Sequence, residues 1–147
     1  ISIMNIVEVT GGKPYQRKYV ESIAFFCIDK LMPKMESLDI NIKLRTIPED
    51  SYGYCMSETT REFDIEIDKN LTLRKLLTTV AHEIVHVKQY ARKELTGDST
   101  WQGKTYNPKT TDYWDEPWEI EAHGRECGLF IRWAEKMKLA EKKWTQE

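Results

Sequence analysis

The sequence contains few cysteines, and their spacing is not that of a paired set. Cys27, Cys55 and Cys127 are the 3 cysteines in 147 residues. This pattern is not that of a small disulfide-stapled protein, and it favours a reducing, intracellular compartment. Cys27 and Cys127 fall within apolar helical patterns, where we expect buried free thiols.

Long apolar runs and a strong charge of one sign are also missing. No run approaches the length of a membrane span, so we expect neither a membrane anchor nor a secretory signal. The net charge of −2 gives no reason to expect nucleic acid as a partner. The hydrophobic content of 40% and the charged content of 31% are ordinary. The length predicts a single domain over residues 1–147 that buries about two-thirds of its surface.

The most informative stretch is His82-Glu83-Ile84-Val85-His86. Two histidines four residues apart on a helix project from one face and can hold one metal ion, and zinc is the usual one. Glu83, beside the first histidine, is suited to act as a general base toward an attacking water. The alternative is a pair of structural histidines, which would lie on or beside the apolar stripe of the helix.

Helical geometry separates these two interpretations. With His82 at 0° and about 100° per residue, His86 falls near 40° and Glu83 near 100°. The apolar positions fall between about 120° and 220°; they are Leu73, Leu76, Leu77, Val80, Ile84, Val87, Ala91 and Leu95. One face of the helix therefore packs on a core, and the opposite face presents two imidazoles to a cleft.

A catalytic zinc usually has a third protein ligand, and the last helix offers one. With Glu119 at 0°, the apolar residues of this helix fall between about −40° and 60°; they are Phe130, Trp133, Ala134 and Met137. A buried carboxylate must be paired or coordinate a metal, so Glu119 is the predicted third ligand, with pairing to a neighbouring base as the alternative. Glu121 falls near 200°, facing water, so Glu121→Ala should leave metal affinity unchanged.

Two further residues share the inward side of the last helix. His123 falls near 40° on the same scale and Glu126 near −20°. His123 is either a ligand itself or a hydrogen-bond partner that orients a ligand, and Glu126 is expected in the same inner network. Helical phase alone does not separate Glu119 from His123 as the third ligand.

The rest of the chain predicts a small sheet between two helices. Alternating apolar residues predict a mainly antiparallel sheet, whose polar face carries Asp64, Glu66 and Asp68 toward solvent. The loop before the last helix is long enough to form a wall of the cleft, with a surface loop as the alternative. The predicted elements begin with an edge strand in 1–10, a helix over 15–35, a strand over 40–45 and a hairpin of 52–57 and 63–68. A helix over 72–94 follows, capped by Asn70 or Thr72. After it come a loop over 96–117, with a tight hairpin at 101–106 turning at Gln102-Gly103, and a helix over 117–143.

Together these motifs resemble those of the gluzincins, zinc peptidases whose third ligand is a glutamate on a downstream helix. The resemblance rests on His82 to His86 and on Pro117-Trp118-Glu119-Ile120-Glu121-Ala122, and it covers about residues 50–131. The short chain is similar to the minigluzincins. The 101–106 hairpin and the Glu-x-Glu-Ala segment resemble those of small phage proteins described as SprT-like, and that resemblance implies a phage-encoded chain.

The resemblance also has departures. Four residues after the ligand glutamate, gluzincins commonly carry an acid, whereas this chain has His123. SprT-like peptidases proper typically use a third histidine, so the two families disagree at this position. Peptide deformylases resemble the chain in joining an upstream cysteine to a similar helix, but Cys55 lacks the rest of their pattern and is not a predicted ligand.

The resemblance implies an α+β, zincin-like fold. This fold has a small twisted mixed sheet, an N-terminal packing helix, the metal helix and a C-terminal helix carrying the third ligand. It further implies a zinc metallopeptidase in which Glu83 is the general base and Tyr113 or Tyr106, on the loop before Glu119, stabilises the oxyanion. The substrate would be an extended polypeptide added along the sheet edge beside the metal helix, at the strands of the 52–57 and 63–68 hairpin.

Two other functions compete with the peptidase. A catalytically silent, zinc-stabilised binding module would keep the metal, but it has no need of Glu83 and usually has four protein ligands. A zinc amidohydrolase acting on cell-wall peptide would use the same chemistry, so the sequence leaves it open.

Overall fold

The computed structural model of the chain describes residues 4–97 and 99–147. The elements of this part follow one another as β1 Ile6–Gly11, α1 Pro14–Leu31, β2 Asp39–Arg45, β3 Gly53–Ser57, β4 Glu62–Asp68, α2 Leu73–Ala91, β5 Leu95–Thr96, β6 Thr100–Trp101, β7 Lys104–Thr105 and α3 Pro117–Lys136, with 3-10 turns at Tyr113–Asp115 and Lys143–Gln146. The first three residues of the predicted N-terminal strand and Asp98 of the predicted loop lie outside the described residues.

The main sheet is mixed, with the strand order β1-β2-β4-β3. β1 pairs with β2 and β2 pairs with β4 in parallel, while β3 pairs with β4 as an antiparallel hairpin. The mixed sheet and the α+β class confirm the predicted fold at that level, but the prediction of a mainly antiparallel sheet is wrong. The reason is that α1 carries the chain back across the sheet, so β2 runs alongside β1 rather than against it.

Helices cover a single face of this sheet. The alternating residues of β2 and β4 that face α1 and α2 are buried, namely Ile40, Ile42, Leu44, Phe63, Ile65 and Ile67. The other face carries polar side chains, as predicted for Asp64, Glu66 and Asp68, but these three are half-buried rather than fully solvated. Glu66 forms an ion pair with Arg45 on the neighbouring strand.

Each helix ends earlier than its apolar pattern predicts. α1 ends at Leu31 instead of residue 35, because Pro33 disfavours helical backbone just before it. α2 ends at Ala91 instead of residue 94, and Lys93 then takes a positive φ of 58°. α3 ends at Lys136 instead of residue 143, and the left-handed Lys138 turns the chain away. At the start of α2, the side chain of Thr72 caps the helix by accepting from the Lys75 N–H.

The middle of α2 is buried on all sides. The sheet and α1 pack against one side of the helix, and α3 packs against the other. As a result, the polar residues between Thr79 and Gln89 are enclosed along with the apolar ones. A polar group in such a helix needs partners from the element that covers it.

The predicted tight hairpin after α2 is present. β6 and β7 pair through Trp101 and Lys104, and Gln102 and Gly103 between them both have positive φ values, 48° and 86°. Two positive φ values are the signature of a type I′ turn, the connection that suits the twist of a two-residue hairpin.

The three cysteines are free thiols. Cys27 is buried as predicted, but the prediction for Cys127 is wrong, because Cys127 lies on the exposed side of α3. No helix in the described residues combines the length and the apolar character needed to cross a membrane.

Gly53 is a test of how closely β3 packs against β4 and α2. A Cβ atom at this position would lie 2.7 Å from the Glu66 carbonyl oxygen and 3.2 Å from Thr79 Cγ2. We expect Gly53→Ala to lower the free energy of unfolding by about 1–3 kcal/mol through overpacking. Urea denaturation measures the change.

Gly124 provides the matched control, because a Cβ there meets open space on an exposed face of α3. Gly124→Ala should raise the free energy of unfolding by up to about 1 kcal/mol, the gain in helix propensity. Equal stabilities of Gly53→Ala and the wild type would show that β3 does not pack this closely.

Candidate metal centre

The two histidines of α2 lie one turn apart, buried between α2 and α3. His82 and His86 are 8% and 7% exposed, and their ring centroids are 4.9 Å apart. Glu83 is 5% exposed and lies on the same stretch of helix. The helix thus presents three chemically active side chains in one enclosed region.

Glu119 meets both histidines from the first turn of α3. Its Oε1 lies 3.1 Å from His82 Nε2, and its Oε2 lies 3.3 Å from His86 Nε2. Burial raises the pKa of Glu119, but its contacts with His82 and His86 outweigh burial and hold the pKa well below the usual range. Burial lowers the pKa of His82, and its hydrogen bonds to Glu119 and Glu126 more than compensate, raising that pKa to about 10. The site is therefore a strongly coupled cluster of imidazole and carboxylate groups.

Glu126 orients two imidazoles at once, two turns further along α3. Its Oε1 lies 3.1 Å from His82 Nδ1 and 2.7 Å from His123 Nδ1. These contacts confirm the predicted place of Glu126 in the inner network. Because a proton on His82 Nδ1 is bound to Glu126, the Nε2 atom is directed toward Glu119.

His123 lies at the edge of the cluster, with 35% of its side chain exposed. Its ring centroid is 4.5 Å from that of His82, and its Nε2 lies 2.8 Å from the Tyr113 hydroxyl. The Tyr113 hydroxyl also lies 3.0 Å from Glu119 Oε1. Trp114, on the same 3-10 turn, covers the outer side of the His123 ring.

These residues could hold a metal ion. Two overlapping sets bring their donor atoms within 4.8 Å of one another, His82 with Glu83 and His86, and His82 with Glu119 and His123. Imidazole nitrogen and carboxylate oxygen are the donors that a divalent transition metal prefers. A buried cation could take the place of the protons that now lie between the imidazoles and Glu119, and it would balance the surrounding carboxylates. The chemistry of the donor set therefore fits a metal centre.

Glu83 faces a large cleft beside this cluster. Burial raises the pKa of Glu83, and the neighbouring charges of His86 and His82 oppose that rise. Within the described residues, no hydrogen bond involves its carboxylate, while the carboxylates of Glu119 and Glu126 are both engaged. Glu83 is thus a carboxylate with free acceptor positions at the wall of a cavity.

The cleft has a volume of about 880 Å³ and three kinds of wall. Helix α2 contributes its histidines, the loop before α3 contributes Tyr113 and Trp114, and strand β3 forms the opposite wall. This arrangement agrees with the predicted role of the loop as a wall. A second cavity of about 560 Å³ shares Cys55 and Met56 with the first, so the groove continues past the end of β3.

Strand β3 has a neighbour on one side only in the described sheet. Its hairpin to β4 is held by hydrogen bonds at Tyr52 and Glu58. In an antiparallel pair, every second residue directs its backbone N–H and C=O groups to the partner strand. In β3 the even-numbered residues direct these groups to β4, and the odd-numbered residues direct them away from β4. The backbone groups directed to the free edge are those of Gly53, Cys55 and Ser57.

Tyr106 and Cys55, two residues that the sequence analysis discussed, lie outside the cluster of donor atoms. Tyr106 packs edge-on against Trp118, with ring centroids 5.8 Å apart, and it is not among the residues that line the large cleft. Its predicted role as an oxyanion donor therefore loses its geometric basis, whereas Tyr113 is at the cluster.

Cys55 lines the cleft without joining either set of donors. Burial, followed by the charge of Glu83, raises the pKa of Cys55, so its thiol stays protonated.

Glu121 does not face water, so that prediction is wrong. Its side chain is 19% exposed and its carboxylate lies 2.6 Å from Lys88 Nζ. The helical phase failed because it counted only the apolar side of α3, whereas the last turn of α2 also covers the start of α3. The expectation that Glu121→Ala leaves metal affinity unchanged loses its basis.

Gln89 is a residue that sequence reasoning missed. It is fully buried, and its Oε1 lies 2.8 Å from His86 Nδ1. A signal was present, since seven residues after His82 is about two helical turns, which puts Gln89 on the histidine face.

Comparison with known proteins adds no relative, because no family model, curated protein or solved structure matches the chain. What the fold and the site define is an α+β protein with a mixed sheet and a cluster able to hold a metal ion.

The third ligand can be tested by two matched truncations on α3. We expect Glu119→Ala to weaken zinc binding by more than the roughly 10–100-fold loss typical of removing an outer hydrogen-bond partner. His123→Ala should stay within that smaller range, because Glu119, unlike His123, lies against the Nε2 atoms of both imidazoles of α2. Competition with a chromophoric chelator gives both affinities. The reverse order would make His123 the third ligand.

Proposed function

We propose that the protein is a zinc-dependent metallopeptidase with a zincin-like site. The observation that carries the proposal is the approach of both α2 imidazoles to one carboxylate, Glu119, next to the free carboxylate of Glu83 in an open cleft. A purely structural metal site is usually closed by four protein ligands and has no use for such a base. The resemblance of the motifs to gluzincins points to the same activity.

Zinc would be held by His82, His86 and Glu119, and it would polarise the scissile carbonyl and the attacking water. Nitrogen and oxygen donors in this number leave a position open for substrate, as catalytic zinc sites do.

Glu83 would act as the general base. It is buried close to His82 and His86, its carboxylate is free of hydrogen bonds from the described residues, and it lines the cleft. Burial raises the pKa of Glu83, which suits a group that accepts a proton from water and returns it to the leaving amine.

Tyr113 would donate to the developing oxyanion. Burial, followed by the charge of Glu119, raises its pKa, so the hydroxyl keeps its proton. The hydroxyl lies at the mouth of the cluster, and its 44% exposed side chain is on a short turn that lines the cleft.

An extended polypeptide fits the opposite wall. The free edge of β3 offers the backbone groups of Cys55 and Ser57 and the N–H of Gly53, whose carbonyl already accepts from the Ser51 hydroxyl. A peptide strand satisfies such groups whatever its sequence. Because the groove continues beyond the end of β3, a chain could extend to both sides of the metal cluster. This favours cleavage of internal bonds.

The first test separates catalysis from metal binding. Zinc-loaded wild type is incubated with a diverse peptide library and with unfolded proteins, and products are identified by mass spectrometry. Glu83→Gln should keep zinc but lower the cleavage rate by about 10²–10⁴-fold, because its amide is no base. A hydroxamate chelator should stop the wild-type reaction.

Other outcomes separate the rival functions. Wild-type rates in Glu83→Gln would remove Glu83 as the base. Stoichiometric zinc without cleavage of any peptide or protein would favour the binding module. Cleavage confined to cell-wall peptides would favour the amidohydrolase.

The role of Tyr113 gives a separate prediction. Tyr113→Phe removes only the hydroxyl and should lower kcat by about 10²–10³-fold, the usual cost of losing one oxyanion donor. KM should change little when both proteins are compared at saturating zinc, a condition that is needed because the hydroxyl also contacts Glu119. Tyr106→Phe is the matched control, since Tyr106 packs on Trp118 outside the cleft lining. Equal kcat values for the two variants would contradict the assignment.

A further inference from the structure

The buried C-terminal end of α2 contains a hydrogen-bond network around Gln89, which has no part in the proposed reaction. Gln89 is 0% exposed and connects three elements of the site. Its Oε1 lies 2.8 Å from His86 Nδ1, and its Nε2 lies 2.9 Å from the Trp118 carbonyl oxygen and 2.9 Å from Glu121 Oε1. The side-chain amide of Gln89 is thus fully occupied without any water.

The partners of Gln89 fix which way its amide points. Both partners of the nitrogen, the Trp118 carbonyl and the Glu121 carboxylate, are acceptors without a proton to give. An amide turned the other way would place its oxygen against two acceptors, which repel it. The NH₂ group therefore faces α3, and the carbonyl oxygen faces His86.

The fixed amide in turn fixes the protonation of His86. An acceptor at 2.8 Å requires a proton on His86 Nδ1. The other ring nitrogen, Nε2, lies 3.3 Å from Glu119 Oε2, and a metal ion that replaced the proton between them would bind the lone pair of Nε2. We propose that Gln89, held by Glu121 and the Trp118 carbonyl, is the positioning residue that sets the tautomer and ring orientation of His86 for metal binding.

The two imidazoles of α2 are thus prepared by different means. Glu126 accepts from His82 with a carboxylate, whereas Gln89 accepts from His86 with a neutral amide. The negative charge on the His86 side lies one step further out, on Glu121, where Lys88 and Arg125 contact it. The buried end of the site gains an acceptor for His86 without a further unpaired carboxylate, which a buried position would tolerate poorly.

This inference rests on the metal-binding part of the proposed function and not on hydrolysis. The experiment compares zinc affinity, by chelator competition, in the wild type and in Gln89→Leu. We expect about 10–100-fold weaker binding in the variant, the range typical when an outer partner of a metal-bound histidine is removed.

A second readout reports the imidazole itself. Two-bond ¹H–¹⁵N spectra show which ring nitrogen carries the proton, and hydrogen exchange shows whether that proton is held. In the wild type, the His86 Nδ1 proton should be present and should exchange slowly. In Gln89→Leu it should exchange rapidly, while the His82 Nδ1 proton, bound to Glu126, should not change.

Gln16→Leu is the matched control for loss of a buried glutamine. Gln16 is 7% exposed, and it bonds the Lys13 N–H and the Lys69 carbonyl rather than any histidine. We expect a loss of stability but wild-type zinc affinity. Glu121→Leu serves if Gln89→Leu does not fold, and it should weaken zinc binding less, because the Trp118 carbonyl still holds the amide.

The outcomes divide clearly. If Gln89→Leu folds, unchanged zinc affinity together with unchanged exchange of the His86 Nδ1 proton would overturn the inference. If Gln89→Leu does not fold, equal zinc affinities in Glu121→Leu and Gln16→Leu would overturn it. If the wild type binds no zinc, the proposed function fails, and exchange of the His86 Nδ1 proton in the metal-free protein still tests the Gln89 contact.

Discussion

The packing of α3 on α2 is the contact on which the site depends. Because the sheet and α1 already cover one side of α2, α3 encloses the side that carries His82 and His86. Enclosure removes water as a hydrogen-bond partner, so each imidazole nitrogen needs a protein group. The start of α3 supplies Glu119 to both Nε2 atoms, and Glu126 follows two turns later for His82 Nδ1. The same interface therefore stabilises the fold and orients the cluster.

The sequence predicted the parts of the molecule that follow from local periodicity. The histidine face of α2, the inward direction of Glu119 and Glu126 and the tight hairpin at Gln102-Gly103 all depend on spacing along one element. The parallel pairing of β1 with β2 depends instead on how α1 crosses the sheet, and alternation alone does not record this. Helix ends were misplaced for a related reason, since apolar periodicity continues through residues such as Lys138, where the backbone turns.

The contact between Glu121 and Gln89 shows where single-helix reasoning stops. The wheel of α3 placed Glu121 in water because it used only the apolar residues of α3 as a guide to the inside. The carboxylate is instead held by Lys88 and Gln89, which belong to α2. A contact between two polar residues on different helices has no periodic signature in either helix. Its position becomes readable only when the crossing of the two helices is known.

The proposed peptidase joins two features that the chain keeps on opposite walls of one cleft. The β3 wall would recognise the backbone of a peptide through its outward N–H and C=O groups, which are indifferent to substrate sequence. The α2 and α3 wall is the reverse, because its donors are held in single orientations by Glu126, Gln89 and their own partners. Neither wall would then distinguish one substrate sequence from another, so any selectivity would depend on side-chain contacts along the groove. Tyr113 and Trp114 line that groove from an exposed 3-10 turn, so they are the residues best placed to contact substrate side chains next to the reacting bond.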